Sequence, residues 1–253
     1  MTVENFAARI RAREPMTGYW VVLDNPVGTE RIAGQGWDYV CVDAQHGLLD
    51  YKGILGSLTA IDARGTAAGM VRVPANDPFW IGQSLDAGAR GVIVPMVNTA
   101  EQAAAAVSAC RYPPHGVRSY GPMRSMLRIG PAPAVADREV ACIVMVETRE
   151  ALANVTEICA TDGVDAVYIG PSDLTIALGG ATSTDPAVSE EFEAALAVVA
   201  EAARAAGIGA GIHTPSGEAA ARRLAQGFSF ATVACDLNHL EQAAAAHLAA
   251  ARG

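Results

Sequence analysis

Eight short apolar segments, rich in β-branched residues, alternate along this chain with longer alanine-rich segments. The apolar segments are residues 19–23, 39–43, 69–73, 91–97, 142–147, 166–170, 208–214 and 230–235. The segments between them, such as residues 190–206 and 240–250, carry apolar side chains at helical spacing. Near-continuous apolar strands separated by helices are typical of parallel strands that are buried on both faces.

This alternation predicts an α/β fold in which residues 1–253 form a single (β/α)8 barrel of the TIM-barrel type. Eight strand–helix units in a chain of this length fit a closed barrel better than an open, doubly wound sheet. A dinucleotide-binding sheet would also need GxGxxG after its first strand, and residues 24–28 read DNPVG instead. We find no repeat or linker that would divide the chain.

Composition and charge exclude several classes of protein. Hydrophobic residues make up 51% of the chain and charged residues 18%, which argues against disorder. A net charge of -9 without a basic stripe predicts no nucleic-acid partner. The chain has no apolar run of the roughly 18 residues that a membrane span needs, and the mixed charges of residues 1–13 predict no signal peptide. Five cysteines without a CxxC pair indicate a reduced, cytoplasmic protein.

Two segments interrupt the regular alternation. Residues 111–140 hold five of the 13 prolines together with Arg118, Arg124 and Arg128, and residues 179–187 form a second irregular segment. Long loops in a compact domain are usually functional or part of an interface.

Polar residues stand at the ends of the predicted strands, where the active sites of α/β barrels lie. They are Asp43, Gln45, His46, Arg72, Glu147, Ser172, Asp173, His213 and Asp236. Charged groups at the ends of apolar strands are costly to bury unless they are paired or bound to a metal ion. These residues are therefore the candidate site.

Glu147 and Asp173 are the candidate metal ligands, since they follow neighbouring strands and their carboxylates can converge on one ion. Two carboxylates, with water and substrate oxygens, suit Mg²⁺ or Mn²⁺. The alternative is that each acid caps a helix or forms a salt bridge.

His46 is the candidate acid/base residue, because an imidazole titrates near neutral pH. Asp43 precedes it by three residues, and Arg72 ends the next strand with a forked donor set for a carboxylate or an enolate oxygen. Asp86 is a candidate to orient the histidine. The alternatives are a structural histidine and a buried ion pair between Arg72 and Asp43.

A Schiff-base mechanism is not expected, because Lys52 is the only lysine of the chain and stands at the start of a helical segment.

Several motifs resemble those of one known family. Residues 36–38 read GWD, 42–47 VDAQHG, 71–74 VRVP, 85–89 LDAGA, 94–103 VPMVNTAEQA, 111–118 RYPPHGVR and 163–174 GVDAVYIGPSDL. The chain resembles the HpcH/HpaI aldolases, also called class II pyruvate aldolases, from about residue 18 to about residue 240.

The resemblance implies a phosphoenolpyruvate/pyruvate-type barrel and cleavage or formation of 4-hydroxy-2-oxo acids, with release or addition of pyruvate, or hydroxypyruvate, and an aldehyde. It implies that Glu147 and Asp173 hold a divalent metal (Mg²⁺, Mn²⁺ or Co²⁺) and that Arg72 stabilises an enolate. It further implies that His46, oriented by Asp86, is the acid/base residue.

The same resemblance implies that the backbone amides of Ser172 and Asp173 bind the pyruvate carboxylate. It also implies a homo-oligomer, a hexamer or a trimer, in which the last helix packs on a neighbouring subunit.

Two positions depart from the family pattern. Gln45 stands where the family usually has glutamate, so we expect an altered metal affinity or pH optimum. His213 stands where related enzymes have an apolar residue, and we expect it to favour hydroxylated aldehydes. The alternatives are a CoA-thioester lyase of the citrate-lyase-beta type, which would need a basic channel for phosphates, and a non-catalytic barrel.

Overall fold

The computed structural model describes residues 5–253 and contains a closed barrel of eight parallel strands in chain order. The first four residues of the predicted domain, and of the charged segment 1–13, lie outside the described residues. The strands are β1 (Met16–Val21), β2 (Tyr39–Asp43), β3 (Ala68–Arg72), β4 (Gly91–Val94), β5 (Ala141–Val146), β6 (Ala166–Ile169), β7 (Gly209–Thr214) and β8 (Phe230–Cys235). The predicted (β/α)8 barrel is confirmed.

The helices between successive strands surround the barrel, while one helix precedes β1 and another follows β8. They are α1 (Phe6–Arg11), α2 (Pro26–Ala33), α3 (Tyr51–Arg64), α4 (Pro78–Asp86), α5 (Ala100–Cys110), α6 (Pro133–Glu139), α7 (Arg149–Ala153), α8 (Val155–Cys159), α9 (Pro171–Ala177), α10 (Ser189–Ala206), α11 (Gly217–Ala225) and α12 (Asp236–Arg252). Several begin at side chains that accept a backbone N–H of the first turn, for example Asp50 of α3, Asp77 of α4 and Thr99 of α5.

Alternate residues of each strand face two separate cores. Val40 and Val42 of β2 pack outward against the helices, while Tyr39 and Cys41 pack inside the barrel. This alternation follows from the two-residue period of a strand. It explains why the strands are apolar on both faces, as the sequence predicted.

Large aromatic rings fill the barrel interior. The hydroxyls of Tyr39 and Tyr168 both contact the Thr232 hydroxyl, at 2.7 and 2.6 Å. Gly18 and Gly211 leave the space that the rings of Tyr39 and Phe230 occupy, since a Cβ at either glycine would overlap a ring. These rings therefore fill the interior of the barrel, and a cavity can open only near the carboxyl ends of the strands.

Some predicted boundaries were wrong. The predicted strand 91–97 ends at Val94, because Pro95 lacks an N–H and Met96 has a left-handed φ of 56°. The segment between β5 and β6 forms two short helices, α7 and α8, which meet at Asn154, whose side-chain amide donates to the Asn98 carbonyl at 2.8 Å.

The predicted irregular segment 111–140 also contains regular structure, namely a 3-10 turn at Ser125–Leu127 and α6.

All five cysteines are free thiols. From residue 5 onward, no helix combines the length and the apolar character needed to cross a membrane.

Candidate active site

A cavity of about 240 Å³ opens at the carboxyl ends of the strands. Five of the predicted site residues line it, and each lies at or just beyond the carboxyl end of a strand. The lining residues are Trp20, Val22, His46, Arg72, Met145, Tyr168, Gly170, Pro171, Ser172, Asp173, His213 and Cys235. The structure thus brings together residues from seven of the eight strand–loop units, as expected for an α/β barrel.

Glu147 follows β5 and is almost fully buried, at 2% exposure. Its Oε1 accepts the Met96 N–H at 2.8 Å, whereas its Oε2 is buried without a hydrogen-bond partner. Burial raises the pKa of Glu147, and the nearby negative charge of Asp173 raises it further, while the Met96 N–H and the charge of Arg72 oppose the shift. Neither alternative role applies to Glu147, since Thr148 caps α7 and no cation pairs with this carboxylate among residues 5–253.

A buried carboxylate oxygen without a partner is costly unless a proton or a cation occupies the space beside it. Gly170 keeps that space open, because a Cβ there would lie 2.5 Å from Oε2 of Glu147. Asp173 lies in the first turn of α9 and lines the cavity. The two carboxylates fit a hard divalent cation whose other ligands come from water and substrate.

Within residues 5–253 no group of three or more His, Cys, Asp or Glu side chains is arranged to hold a metal ion. A metal at this site would therefore have two protein carboxylates as its side-chain ligands.

Met96 holds the hydrogen bond to Glu147 at the expense of backbone strain. Its φ of 56° lies in the left-handed region, which a residue with a side chain rarely adopts. Such strain is commonly found at functional sites. The strained turn directs the Met96 N–H onto Oε1, while Oε2 has no hydrogen-bond partner.

Asp43 accepts five N–H groups with its two oxygens. Its Oδ1 accepts from the backbone of Gln45 and His46, at 3.0 and 3.2 Å, and from Nε of Arg72 at 2.9 Å. Its Oδ2 accepts from Nη2 of Arg72 at 2.5 Å and from the indole of Trp20 at 3.1 Å.

Asp43 was predicted among the catalytic residues, and its contacts are those of a group that holds Arg72 in place. Burial raises the pKa of Asp43, but the hydrogen bonds and positive charge of Arg72, aided by Trp20, bring it below its ordinary value. A carboxylate that is ionised and engaged at both oxygens is unsuited to transfer protons. The buried Arg72–Asp43 ion pair, left open as an alternative, is what the structure contains.

Arg72 uses Nε and Nη2 for Asp43, and its Nη1 has no hydrogen-bond partner within the described part of the chain. The side chain lines the cavity. One face of the guanidinium lies over the Trp20 ring, with 5.2 Å from its carbon to the ring centroid. Arg72 can therefore bind Asp43 and a substrate oxygen at the same time.

His46 lines the cavity, as predicted, but Asp86 does not reach it within one chain. Asp86 is the last residue of α4, and this helix runs back towards the amino ends of the strands. There its carboxylate pairs with Arg118 at 2.7 Å. The prediction that Asp86 orients His46 is corrected for the single chain, because the two residues stand at opposite ends of the barrel.

Gln45 does not line the cavity, although its side chain has unused bonding capacity. The side-chain oxygen Oε1 is buried without a hydrogen-bond partner, while the backbone N–H is held by Asp43. Gln45 was predicted to contact the substrate, but it is not one of the residues that line the cavity.

His213 points into the cavity, as predicted, with its ring edge-on to Trp20 at 5.3 Å and 75°. Burial, and to a smaller extent the positive charge of Arg72, lowers the pKa of His213 to about 4. The imidazole is therefore neutral near pH 7 and offers one donor and one acceptor nitrogen.

Trp20 and Tyr168 also line the cavity, and sequence reasoning missed both. The prediction considered the polar residues at strand ends, whereas these two rings stand on inward-facing positions within β1 and β6. For Trp20 a signal was available. A buried indole N–H needs a hydrogen-bond acceptor, so a tryptophan near the end of a strand indicates a polar group close by.

Asp236 is not part of the cavity lining. Its carboxylate accepts the backbone N–H groups of Val22 and Leu23, at 2.9 and 3.2 Å, and so ties the end of β1 to the start of α12.

Comparison with known proteins gives matches over almost the whole chain. The family model described as HpcH/HpaI aldolase/citrate lyase matches residues 16–243. A hydroxypyruvate/pyruvate aldolase from Rhizorhabdus wittichii is 44% identical over 241 residues, which cover 94% of this chain and 94% of that protein. A 4-hydroxy-2-oxovalerate aldolase from Rhodococcus jostii is 37% identical over 241 residues, 94% of this chain and 92% of that protein.

Among solved structures, an HpcH/HpaI aldolase/citrate lyase family protein from Burkholderia cenocepacia superposes with a TM-score of 0.89 at 32% identity. The match covers 99% of this chain and 100% of that chain. The superposition thus spans the barrel and its connecting segments.

Proposed function

The chain belongs to the HpcH/HpaI aldolase/citrate lyase family, and we propose that its cavity cleaves and forms 4-hydroxy-2-oxo acids with the help of a divalent metal ion. The enzyme is a carbon–carbon lyase of the aldolase type, which releases pyruvate. The name of the relative from Rhizorhabdus wittichii supports pyruvate or hydroxypyruvate as the 2-oxo acid. The observation that carries the proposal is the buried, unpartnered Oε2 of Glu147, whose carboxylate lies near Asp173 behind the cavity that Asp173 and Arg72 line.

Glu147 and Asp173 would hold the metal ion, Mg²⁺, Mn²⁺ or Co²⁺. When bound, such an ion supplies positive charge that stabilises negative charge on a keto oxygen. The donor set fits this role because both ligands are hard carboxylate oxygens and one of them has no other partner.

Arg72 would stabilise the negative charge that develops on the keto oxygen as the carbon–carbon bond breaks. Two of its nitrogens are fixed by Asp43, so that Nη1 is held in place before the substrate arrives. A donor fixed in advance stabilises a developing charge without a cost of reorientation.

His46 would move the proton of the 4-hydroxyl group. In cleavage the imidazole accepts this proton as the aldehyde leaves, and in condensation it returns the proton to the new hydroxyl. The backbone N–H groups of Ser172 and Asp173 would bind the carboxylate of the 2-oxo acid. The position of these residues at the cavity wall supports this role.

His213 would contact the aldehyde. Because its imidazole is neutral, it can hydrogen-bond a hydroxyl group of the aldehyde without attracting a second carboxylate. Arg72 is the one arginine or lysine among the cavity-lining residues and is already paired with Asp43. These features favour hydroxylated, uncharged aldehydes, and they offer no channel of cations for the phosphates of a CoA thioester.

The chain would act as a homo-oligomer, a hexamer or a trimer, in the cytoplasm. No residue of α12 is buried within the single chain, which supports its packing on a neighbouring subunit. The free thiols support a reducing compartment.

Metal removal tests the function. Dialysis against a chelator should abolish pyruvate release from 4-hydroxy-2-oxovalerate, and added Mg²⁺, Mn²⁺ or Co²⁺ should restore it. Glu147→Gln should abolish Mn²⁺ binding measured by calorimetry, whereas the matched control Glu191→Gln, on the exposed surface of α10, should bind like the wild type. Full turnover in excess chelator after dialysis would contradict the metal assignment.

A further inference from the structure

Trp20 occupies a central position in the cavity that none of the proposed chemical steps uses. It is the penultimate residue of β1, is buried, and lines the cavity beside Arg72 and His213. At this point the register between β1 and β8 shifts by one residue, so that Tyr19 faces Val233 and Trp20 faces Cys235. Such bulges commonly redirect a side chain next to an active site.

Trp20 contacts both members of the ion pair that carries Arg72. Its indole N–H donates to Oδ2 of Asp43 at 3.1 Å, and its ring lies 5.2 Å below the guanidinium carbon of Arg72. Arg72 in turn donates two hydrogen bonds to Asp43. The three side chains form a closed triangle in which each contacts the other two.

The indole of Trp20 also packs against a second aromatic ring, that of Tyr168. It stacks on Tyr168 with a centroid distance of 5.9 Å and an interplanar angle of 14°. The Tyr168 hydroxyl donates to Thr232 at 2.6 Å, which fixes the supporting ring. Trp20 therefore rests on a rigid surface in the barrel interior.

We infer that Trp20 is a positioning residue, which fixes the plane of the Arg72 guanidinium and thereby directs the free Nη1 at the reacting oxygen. The hydrogen bonds to Asp43 fix Arg72 only relative to that carboxylate. The indole N–H holds the carboxylate, and the ring face prevents the guanidinium from tilting away from the cavity. The inference rests on the proposed function, because it assumes that Arg72 stabilises the charge of the enolate.

Two substitutions separate the contributions of the N–H and the ring. Trp20→Phe keeps an aromatic face for Arg72 and Tyr168 but removes the donor to Asp43, and should lower kcat about three- to tenfold. Trp20→Leu removes both and should lower kcat by about 30- to 100-fold. The KM should change less than about twofold, since a misdirected Arg72 loses stabilisation mainly in the transition state.

Trp37→Phe is the matched control. Trp37 packs against Tyr19 with tilted rings whose centroids are 5.2 Å apart, and it has no hydrogen bond or ring contact with Asp43 or Arg72. This variant should keep wild-type kcat and KM.

A double-mutant cycle tests whether Trp20 acts through Arg72. In an Arg72→Lys background the fork that Trp20 positions is gone, so that adding Trp20→Leu should lower kcat less than about threefold further. Exchange of the pyruvate methyl protons in deuterated water, which reports enolisation without any aldehyde, should fall in parallel with kcat in each Trp20 variant.

If the losses of kcat from the two substitutions are additive, or if KM rises while kcat is unchanged, the inference is overturned. Trp20 would then only line the cavity, without acting through Arg72. Wild-type kcat in both Trp20 variants, together with impaired Arg72→Lys, would overturn it as well. Wild-type kcat in Arg72→Lys would instead overturn the proposed role of Arg72. If Trp20→Leu does not fold by circular dichroism, Trp20→Phe, which keeps a ring of similar shape, decides the question.

Discussion

The guanidinium of Arg72 gives two of its nitrogens to Asp43 and leaves the third, Nη1, for the cavity. An ammonium group cannot reproduce this division, because it is a point charge without a planar fork. The identity of the residue, and not only its charge, is therefore important at this position.

We expect Arg72→Lys to lower kcat for pyruvate release by about 10²-fold or more, the usual effect of removing a donor that stabilises developing charge. Arg204→Lys, in an exposed pair with Glu201, is the control and should have wild-type turnover. Circular dichroism checks the fold of both variants. Wild-type turnover in Arg72→Lys would show that the Arg72–Asp43 pair is structural only.

His213 gives the cavity wall a polar group without a charge. Replacing it with leucine should lower kcat/KM for hydroxylated aldehydes such as glycolaldehyde about three- to tenfold, the value of one hydrogen bond. Proton exchange of pyruvate should be unchanged. Loss of exchange in His213→Leu would place this imidazole in the acid/base step instead.

The same residue predicts a dependence of stability on pH. Because burial lowers the pKa of His213 from its ordinary value of 6.5 to about 4, the unfolded chain binds more protons than the folded chain between these values. Unfolding free energy should therefore decrease in the wild type as pH falls from 6.5 to 4, and decrease less in His213→Leu. Urea denaturation at several pH values measures the difference, and equal slopes would contradict the buried, neutral imidazole.

The connection between β4 and α5 shows how a local element serves the site. Pro95 ends the strand, and Met96 then takes the left-handed conformation that directs its N–H to Glu147. Left-handed backbone costs a residue with a side chain about 1–2 kcal/mol, whereas glycine adopts it readily at an entropic cost of about 0.5–1 kcal/mol.

Met96→Gly should therefore raise the free energy of unfolding by about 0.5–1 kcal/mol. Met123→Gly is the matched control, since Met123 is exposed and has no positive φ, and it should lower the stability. Urea denaturation measures both. A destabilised Met96→Gly variant would mean that the Met96 side chain contributes more than its backbone strain costs.

At the scale of the molecule, α12 is a 17-residue helix that buries none of its residues in the single chain. Leu240 and Leu248 are exposed at 60% and 50% and stand eight residues apart, near the same side of the helix. An apolar surface of this kind usually marks an interface.

We expect the protein to elute as an oligomer in size-exclusion chromatography with light scattering. The double variant Leu240→Glu, Leu248→Glu should dissociate, because it places charges in the interface. Gln242→Glu, which adds a charge on another side of α12, should leave the assembly unchanged. A monomeric wild type at micromolar concentration would contradict the proposed oligomer.

The barrel could be predicted from the sequence because its signal is local. Each strand is a short apolar segment and each helix a longer periodic one, so that residues 39–43 and 230–235 were predicted with the boundaries that the structure has. The carboxyl ends of parallel strands meet at one face, which placed Arg72, His46 and His213 in one cavity from their positions alone.

The contacts that depend on closure of the barrel could be seen only in the tertiary structure. Asp43 and Trp20 lie 23 residues apart and meet only because β1 and β2 are neighbours with their side chains directed inward. Asp86 was expected to orient His46 from the family resemblance, whereas within one chain it ends α4 and pairs with Arg118. Short-range periodicity thus determined the elements, whereas the distances between side chains on different strands depended on the closed three-dimensional packing.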